Sequence, residues 1–95
     1  MKRIYISGQI TGNPLYKVQF AAAARIIKFA GFEPVNPAEL ELSKDATWTD
    51  YMRRDLKLLC DCDSIYMLKN WKKSKGAKLE HEVAKSLGLS VHYES

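Results

Sequence analysis

The chain has 95 residues, of which 46% are hydrophobic and 11% aromatic, and its formal net charge is +4. This composition excludes a disordered chain, and the length predicts a single domain over residues 1–95. No apolar run approaches the roughly 20 residues of a membrane-spanning helix, so we expect no membrane partner. Residues 1–5 enter a strand pattern without a signal-peptide core, which predicts a cytoplasmic protein.

The hydrophobic pattern alternates between short strands and amphipathic helices. It predicts strands over residues 3–7, 32–35, 64–68 and 89–93, and helices over residues 15–30, 50–60 and 75–87. Gly8, Gly31 and Gly88 follow the first strand, the first helix and the third helix, where elements commonly end. No hairpin turn separates two strands, so the strands are predicted to run parallel.

Two of the predicted helices have apolar side chains at intervals of three and four residues. These are Leu15, Val18, Ala22, Ile26 and Phe29 in the first helix and Met52, Leu56 and Leu59 in the second. The second helix follows a helix-start signal at residues 47–50, and its apolar side chains are predicted to face inward.

A parallel sheet with connecting helices defines the expected fold class. We expect an α/β protein, a Rossmann-like or flavodoxin-like three-layer αβα sandwich whose sheet has about four strands. Such sheets bind ligands beyond the carboxyl ends of their strands, at the switch point next to the first strand. The loops at residues 7–13 and 69–76 are therefore the predicted ligand-binding loops.

Cys60 and Cys62 lie too close for an ordinary disulfide and lack the Cys-x-x-Cys spacing of zinc and redox motifs. A metal site that adds Asp61, Asp63 and His81 to them is the less favoured hypothesis. We expect both thiols to be reduced, with Cys60 ending a helix and Cys62 packed before a strand, and we predict no metal site.

The loop after the first strand has the composition of a ligand-binding loop. Gly8 and Gly12 let a ligand approach the backbone closely. The polar side chains there are those of Ser7, Gln9, Thr11 and Asn13. Neither a Gly-x-Gly-x-x-Gly fingerprint nor an ATPase P-loop is present, and a tight turn without a ligand is the alternative interpretation.

Glu80 is predicted on the buried face of the third helix, in one stripe with Ala77, Ala84 and Leu87. An ionised carboxylate on an apolar stripe costs free energy unless it is paired or lines a cleft. Residues 74–76, Ser-Lys-Gly, have the sequence of a phosphate-accepting turn at a helix N-terminus. A carboxylate one turn beyond an anion site indicates chemistry on a nucleotide-like ligand.

Two further candidates also have ordinary structural explanations. Tyr5, near the carboxyl end of the first strand, is either a site residue or a core aromatic whose hydroxyl is satisfied. Asp55 interrupts the apolar stripe of the second helix. Its alternative role is an ion pair with Arg53, Arg54 or Lys57.

The remaining aromatic and basic residues allow more than one interpretation. Trp48, Tyr51 and Trp71 either stack on a base or pack at the rim of the core, and His81 and His92 are expected at the surface without partners. Six lysines between residues 69 and 85 form a solvated face, steer a phosphorylated ligand or bind a polynucleotide.

Taken in order, several segments resemble the nucleoside 2-deoxyribosyltransferase superfamily, and more closely its small uncharacterised branch common in phages and prophages (domain of unknown function 4406). The segments are Ile4-Tyr5-Ile6-Ser7-Gly8-Gln9-Ile10-Thr11-Gly12, Asn36-Pro37-Ala38-Glu39, Tyr51-Met52-Arg53-Arg54-Asp55-Leu56, Cys62-Asp63, and Trp71 through Glu80 and Ala84 to Gly88. The resemblance covers essentially the whole chain. It implies a Rossmann-like fold, an oligomeric protein and action on the N-glycosidic bond of deoxynucleosides or deoxynucleotides.

The resemblance also implies roles for individual residues. Glu80 matches the nucleophilic glutamate of the family, and Tyr5 matches the tyrosine whose hydroxyl holds that carboxylate. Asp55 matches the aspartate that handles the proton of the leaving base. The family chemistry needs no metal or organic cofactor.

Position 74 departs from the transferases, which carry an aspartate there. The related 2′-deoxynucleoside 5′-phosphate N-hydrolases carry a phosphate-contacting serine at that position, so Ser74 favours a phosphorylated ligand. Those hydrolases also have a serine where this chain has Gln9, and related branches usually have proline there. Ser74 and the N–H groups of Gly76 and Ala77 are the expected phosphate contacts, assisted by lysines at 72, 73 or 75.

Three hypotheses follow for the function. The leading one is an N-glycosidase or deoxyribosyltransferase, with hydrolysis preferred to transfer because of Ser74. The second is a binding module that retains the fold and pocket without turnover. The third is a basic phage protein associated with nucleic acid. The small size of the sheet also predicts a homo-oligomer, a dimer or larger.

Overall fold

A four-stranded parallel sheet forms the centre of the molecule. The computed structural model describes all 95 residues, Met1–Ser95. The strands are β1 (Arg3–Ser7), β2 (Glu33–Val35), β3 (Ser64–Met67) and β4 (Ser90–Tyr93), in the order β2-β1-β3-β4. Tyr5 pairs with Val35 on one side and with Ile65 on the other, and all three strand pairings are parallel. The predicted α/β class and strand number are confirmed.

Three helices connect the strands. They are α1 (Tyr16–Phe29), α2 (Trp48–Cys60) and α3 (Lys75–Ser86), with short 3₁₀ turns at Pro37–Glu39 and Trp71–Lys73. Thr47 accepts the N–H of Asp50 while the Asp50 carboxylate accepts the N–H of Thr47, so α2 begins two residues earlier than predicted. Gly31 and Gly88 follow α1 and α3 with positive φ, as expected for residues that end a helix.

The two faces of the sheet bury separate cores, because side chains alternate along each strand. Ile4 and Ile6 of β1 pack with Phe20 and Ile27 of α1. Tyr5 points the other way, into a cluster formed with residues of α2 and α3. One helix therefore covers one face of the sheet and two helices cover the other, which is the predicted three-layer αβα arrangement.

The apolar stripe that predicts α1 is not the stripe that is buried. Phe20, Ala23 and Ile27 face the core, whereas the side chains of the predicted stripe lie on the solvent side of the helix. α1 has two apolar stripes, and periodicity cannot tell which of them meets the sheet. Leu87, predicted on the buried stripe of α3, is also exposed, since the helix ends at Ser86.

The two cysteines lie as the sequence predicts, whereas His81 does not. Cys60 is exposed at the end of α2 and Cys62 is buried before β3, both as free thiols, as predicted. His81 does have partners, contrary to the expectation: its Nε2 lies 2.7 Å from the Tyr93 hydroxyl and its ring stacks 4.3 Å from that of Trp71. None of the helices has the length and apolar character needed to cross a bilayer.

Candidate active site

A pocket of about 390 Å³ lies at the carboxyl end of β1. Its walls come from the loops after β1 and β2, from α1 and α2, and from the start of α3. It is lined by Tyr5, Ile6, Gly8, Ile10, Thr11, Tyr16, Phe20, Pro37, Ala38, Leu40, Glu41, Ala46, Thr47, Trp48, Tyr51, Met52, Asp55, Ser74, Gly76, Ala77 and Glu80. The pocket therefore lies beside β1 and β3, where the strand order reverses, as the parallel topology predicts.

Glu80 is buried in this pocket and two hydroxyl groups hold its carboxylate. The Tyr5 hydroxyl donates to Oε2 at 2.7 Å and the Ser7 hydroxyl donates to Oε1 at 2.6 Å. Tyr5 and Ser7 are two residues apart on β1, so both point to the face on which α3 packs. Glu80 is 5% exposed, and both of its oxygens have a donor.

Burial dominates the electrostatics of Glu80. It raises the pKa of this carboxyl to about 7, and the nearby Asp55 adds to the rise, while the bonds from Ser7 and Tyr5 and the charge of Arg54 oppose it. Burial, together with the negative charge of Glu80, raises the pKa of Tyr5 well above its ordinary value. The Tyr5 hydroxyl thus keeps its proton and remains a donor.

Asp55 forms the second carboxylate of the pocket. It is 6% exposed, and Arg54 Nε donates to its Oδ1 at 2.7 Å. Burial raises the pKa of Asp55, and the hydrogen bond from Arg54 opposes the rise. Asp55 therefore lines the pocket and also forms the predicted ion pair with a neighbouring arginine, while its catalytic role stays a prediction.

Arg54 connects Asp55 to the wall of the pocket. Its Nη2 donates to the carbonyl oxygen of Pro37 at 3.2 Å, and its Nη1 donates to that of Leu40. The Tyr51 hydroxyl accepts the N–H of Leu42 at 3.3 Å. Consecutive turns of α2 thus hold the segment after β2 against the site.

The loop after β1 contributes fewer pocket residues than predicted. Gly8 and Thr11 line the pocket, whereas Gln9 and Gly12 do not. The Gln9 side chain donates to the carbonyl oxygen of Thr11 at 3.2 Å, so it closes the loop internally. Gly8 is required for packing, because a Cβ there would lie 2.7 Å from the Leu68 side chain.

Ser7 occupies a different place from the one predicted. It was expected among the substrate contacts, but it is buried and does not line the pocket, and its hydroxyl binds Glu80. Its two-residue spacing from Tyr5 is the sequence signal that both side chains face the same side of the sheet.

The start of α3 lies at the rim of the pocket. Ser74, Gly76 and Ala77 line it, and the Ser74 hydroxyl accepts the N–H of Ala77 at 3.1 Å. That N–H is one of the expected phosphate contacts, and here it donates to the Ser74 hydroxyl, which caps the helix. The N–H groups of Lys75 and Gly76 belong to the first helical turn and have no acceptor within the helix. The ammonium group of Lys75 lies 4.3 Å from the ring centre of Trp48.

Sequence reasoning missed the apolar walls of the pocket. Tyr16 and Phe20 of α1 and the segment at residues 37–46 were not assigned to the site. The sequence signal that could have identified this segment is Asn36-Pro37, which ends β2, the strand next to β1. Trp48 and Tyr51 line the pocket, but Trp71 packs on His81 elsewhere.

No cluster of three or more His, Cys, Asp or Glu side chains with the geometry to hold a metal ion occurs in the structure. No buried side-chain nitrogen or oxygen is left without a hydrogen-bond partner.

Comparison with known proteins assigns the chain to a family. Residues 2–93 match the model described as Domain of unknown function (DUF4406). The chain belongs to this family. No curated protein sequence gives a significant match.

A solved structure of a 2-deoxyribosyltransferase from the psychrotolerant bacterium Bacillus psychrosaccharolyticus has the same fold. It superimposes with a TM-score of 0.75 at 18% sequence identity, over 96% of this chain and 70% of that one. The Rossmann-like fold implied by the resemblance is thereby confirmed for this DUF4406 member.

Proposed function

We propose that this protein is an enzyme that cleaves or transfers the N-glycosidic bond of a deoxynucleoside or deoxynucleoside 5′-monophosphate. The observation that carries the proposal is the buried Glu80 carboxylate, held by Tyr5 and Ser7 in a pocket that also contains Asp55. The name of the structural neighbour, a 2-deoxyribosyltransferase, supports the same reaction class.

The first half-reaction uses both carboxyl groups. A Glu80 oxygen forms a bond to C1′ of the sugar while the bond from C1′ to the base nitrogen breaks, through an oxocarbenium-like transition state. The electron pair passes to the base nitrogen, which takes a proton from Asp55. Burial raises the pKa of Asp55, which favours the protonated form that this step needs.

The second half-reaction releases the sugar. Water, or a second base, attacks C1′, the bond between C1′ and Glu80 breaks, and Asp55 takes up the proton of the attacking group. The negative charge returns to the Glu80 carboxylate. The hydroxyls of Tyr5 and Ser7 stabilise it there, because they donate to its two oxygens. Their positions on one rigid strand keep the carboxylate aligned through both steps.

The shape of the pocket supports the choice of substrate. Its aromatic and apolar wall, which includes Tyr16, Trp48 and Tyr51, suits a nucleobase. The start of α3 at the rim, with the Ser74 hydroxyl and the Lys75 ammonium group, suits the 5′ end of the nucleotide. We propose hydrolysis ahead of transfer, because Ser74 is the residue that favours phosphate.

The test is a chromatographic assay of base release. Purified protein is incubated with the four deoxynucleoside monophosphates, and separately with deoxynucleosides and a second free base. Released base establishes a hydrolase, and exchanged base establishes a transferase. Glu80→Gln is expected to lower the rate by at least about a thousandfold, because it removes the nucleophile. Glu82→Gln, an exposed change on the same helix, is the matched control.

A nucleotide-binding module is the second candidate. The pKa of about 7 for Glu80 favours it, because an appreciable fraction of the nucleophile is then protonated and inactive at neutral pH. If no substrate loses its base while nucleotides still raise the thermal stability of the protein, this second function replaces the first.

A further inference from the structure

A second apolar stripe runs from Leu15, the residue before α1, to Phe29 at its end, and four of its five side chains are exposed to solvent. Leu15, Val18, Ile26 and Phe29 are 59%, 67%, 59% and 96% exposed, and Ala22 lies at the centre of their row. The stripe runs over 15 positions on the side of the helix opposite to the buried residues, a length of about 21 Å at the rise of an α-helix. We call these five residues the outer stripe of α1.

An open groove continues the outer stripe onto the sheet. Its volume is about 370 Å³, and it is lined by Lys2, Ile4, Ile26, Ile27, Ala30, Phe32, Ser64, Tyr66, Ser90 and His92. Ile26 belongs to both surfaces. Ser90 and His92 of β4 are exposed, because α2 and α3 both pack on the opposite face of the sheet. The face of the sheet next to α1 is therefore not covered by a second helix.

The area of this surface matches a protein interface. Four outer-stripe side chains with the exposures given above leave on the order of 600 Å² of mostly apolar surface to solvent, and a standard interface buries about 800 Å² on each partner. Phe32, which is 38% exposed, and the groove supply the remainder. Contiguous apolar area of this size on a folded chain marks an interaction site.

We propose that the outer stripe of α1 and the adjoining groove bind a second copy of this chain across a two-fold axis, with the two α1 helices antiparallel. The small side chain of Ala22, at the midpoint of the stripe, lies on the axis and lets the two helices approach closely. Phe29 of each copy then packs near Leu15 of the other, so each apolar end of the stripe has an apolar partner.

Charge favours this antiparallel pairing over a parallel one. The cations of α1 are Lys17, Arg25 and Lys28, and the helix has no acidic residue. In a parallel pair each of these cations meets its own copy, a like-charge contact that costs free energy. In the antiparallel pair Arg25, the cation nearest to the outer stripe, lies level with Gln19 of the partner copy, so its like-charge contact is removed. Lys17 lies one position from the level of the partner's Lys28, but both lysines are turned about 120–140° around the helix from the stripe.

Sedimentation equilibrium of the full chain tests the proposal. The wild type is expected to be a dimer at about 50 µM, and Val18→Glu and Phe29→Glu are each expected to be monomers that retain the circular dichroism of the fold. Lys57→Gln is the control, because it lowers the charge by the same one unit at an exposed site on α2. A wild type that is monomeric at this concentration overturns the proposal, as does a dimer that both glutamate variants preserve.

Crosslinking tests the two-fold axis itself. In a Cys60→Ser background, Ala22→Cys is expected to give a covalent dimer with a short bismaleimide, whereas Ala21→Cys, turned about 100° around the helix, is expected to give none. Equal crosslinking of both variants contradicts the antiparallel arrangement. A monomer that binds a hydrophobic dye at this face, with the dye signal lost in Val18→Glu, assigns the surface to another occupant and also overturns the proposal. None of these results depends on the proposed enzymatic activity.

Discussion

Opposing effects determine whether the Glu80 carboxyl is protonated or ionised. Burial favours the protonated form, while the hydroxyls of Tyr5 and Ser7 and the guanidinium of Arg54 favour the ionised one. The result is a carboxyl with a pKa of about 7, so it is partly protonated at neutral pH. The hydroxyl of Ser7 adds a second donor to the one that Tyr5 supplies, so each Glu80 oxygen accepts a hydrogen bond.

Ser7→Ala is expected to raise the pKa of Glu80 by about one pH unit. The variant loses a hydrogen bond that stabilises the ionised form, and a bond to a charged group contributes about 1.5–3 kcal/mol. Titration of the Glu80 side-chain carboxyl by ¹³C NMR measures the shift without requiring turnover. Ser64→Ala, at a buried serine on β3, is the control. An unchanged midpoint in Ser7→Ala would show that the hydroxyl does not act on the charge.

Glu80→Gln is expected to stabilise the protein increasingly as the pH rises. The folded-state pKa of about 7 lies above the ordinary value of 4.5, so the folded wild type holds a proton that the unfolded chain releases. The stability contributed by this protonation is complete below about pH 4.5 and is lost as the pH rises through 7.

The difference between the Gln variant and the wild type therefore grows over that interval and levels off above it. The shift corresponds to about 3 kcal/mol. Urea unfolding at several pH values checks it, with Glu82→Gln as the exposed control. A difference that does not vary with pH would contradict the assignment.

At the scale of the element, α2 organises the site. Its inward face carries Met52, Asp55 and Leu59, and Arg54 and Tyr51 hold the segment after β2. The Thr47 capping box fixes where the helix begins. One helix thus positions both the Asp55 carboxylate and the wall of the pocket.

Arg54→Gln is expected to loosen that wall. The variant loses the ion pair to Asp55 and the two bonds to the carbonyl oxygens of Pro37 and Leu40. Backbone amides at residues 40–42 are expected to exchange with solvent at least about tenfold faster, since one lost bond to a charged group contributes about 1.5–3 kcal/mol. The pKa of Asp55 is expected to rise further. Arg53→Gln, on the exposed side of α2, is the control, and equal exchange in both variants would refute the role.

α1 shows the limit of periodicity as evidence. Both of its apolar stripes recur at threes and fours, so the pattern predicts the helix correctly but not its orientation. The sheet selects Phe20, Ala23 and Ile27. The other stripe, centred on Ala22, is free for the proposed contact between copies.

At the scale of the whole molecule, the strand order decides where the pocket lies. β1 and β3 are central neighbours, and their connections leave toward opposite sides of the sheet. The loop after β1 and the start of α3 therefore diverge around one cleft. Residues separated by 75 positions, such as Tyr5 and Glu80, come into hydrogen-bond contact there.

The thermal midpoint of unfolding is expected to rise with protein concentration. A dimer unfolds to two chains, so mass action stabilises it as the concentration increases, whereas a monomer has a constant midpoint. Calorimetry over about a hundredfold range of concentration measures the effect. Val18→Glu is expected to abolish the dependence, and its persistence there would place the interface elsewhere.

The sequence by itself determined the fold class, the order of the elements and the site carboxylates as candidates. It did so because alternation and helical periodicity are local properties, and because Glu80 and Asp55 interrupt apolar stripes. Only the tertiary structure decided which stripe of α1 is buried, that Ser7 binds Glu80 and that Arg54 anchors the pocket wall. These depend on contacts between distant segments, which no local pattern specifies.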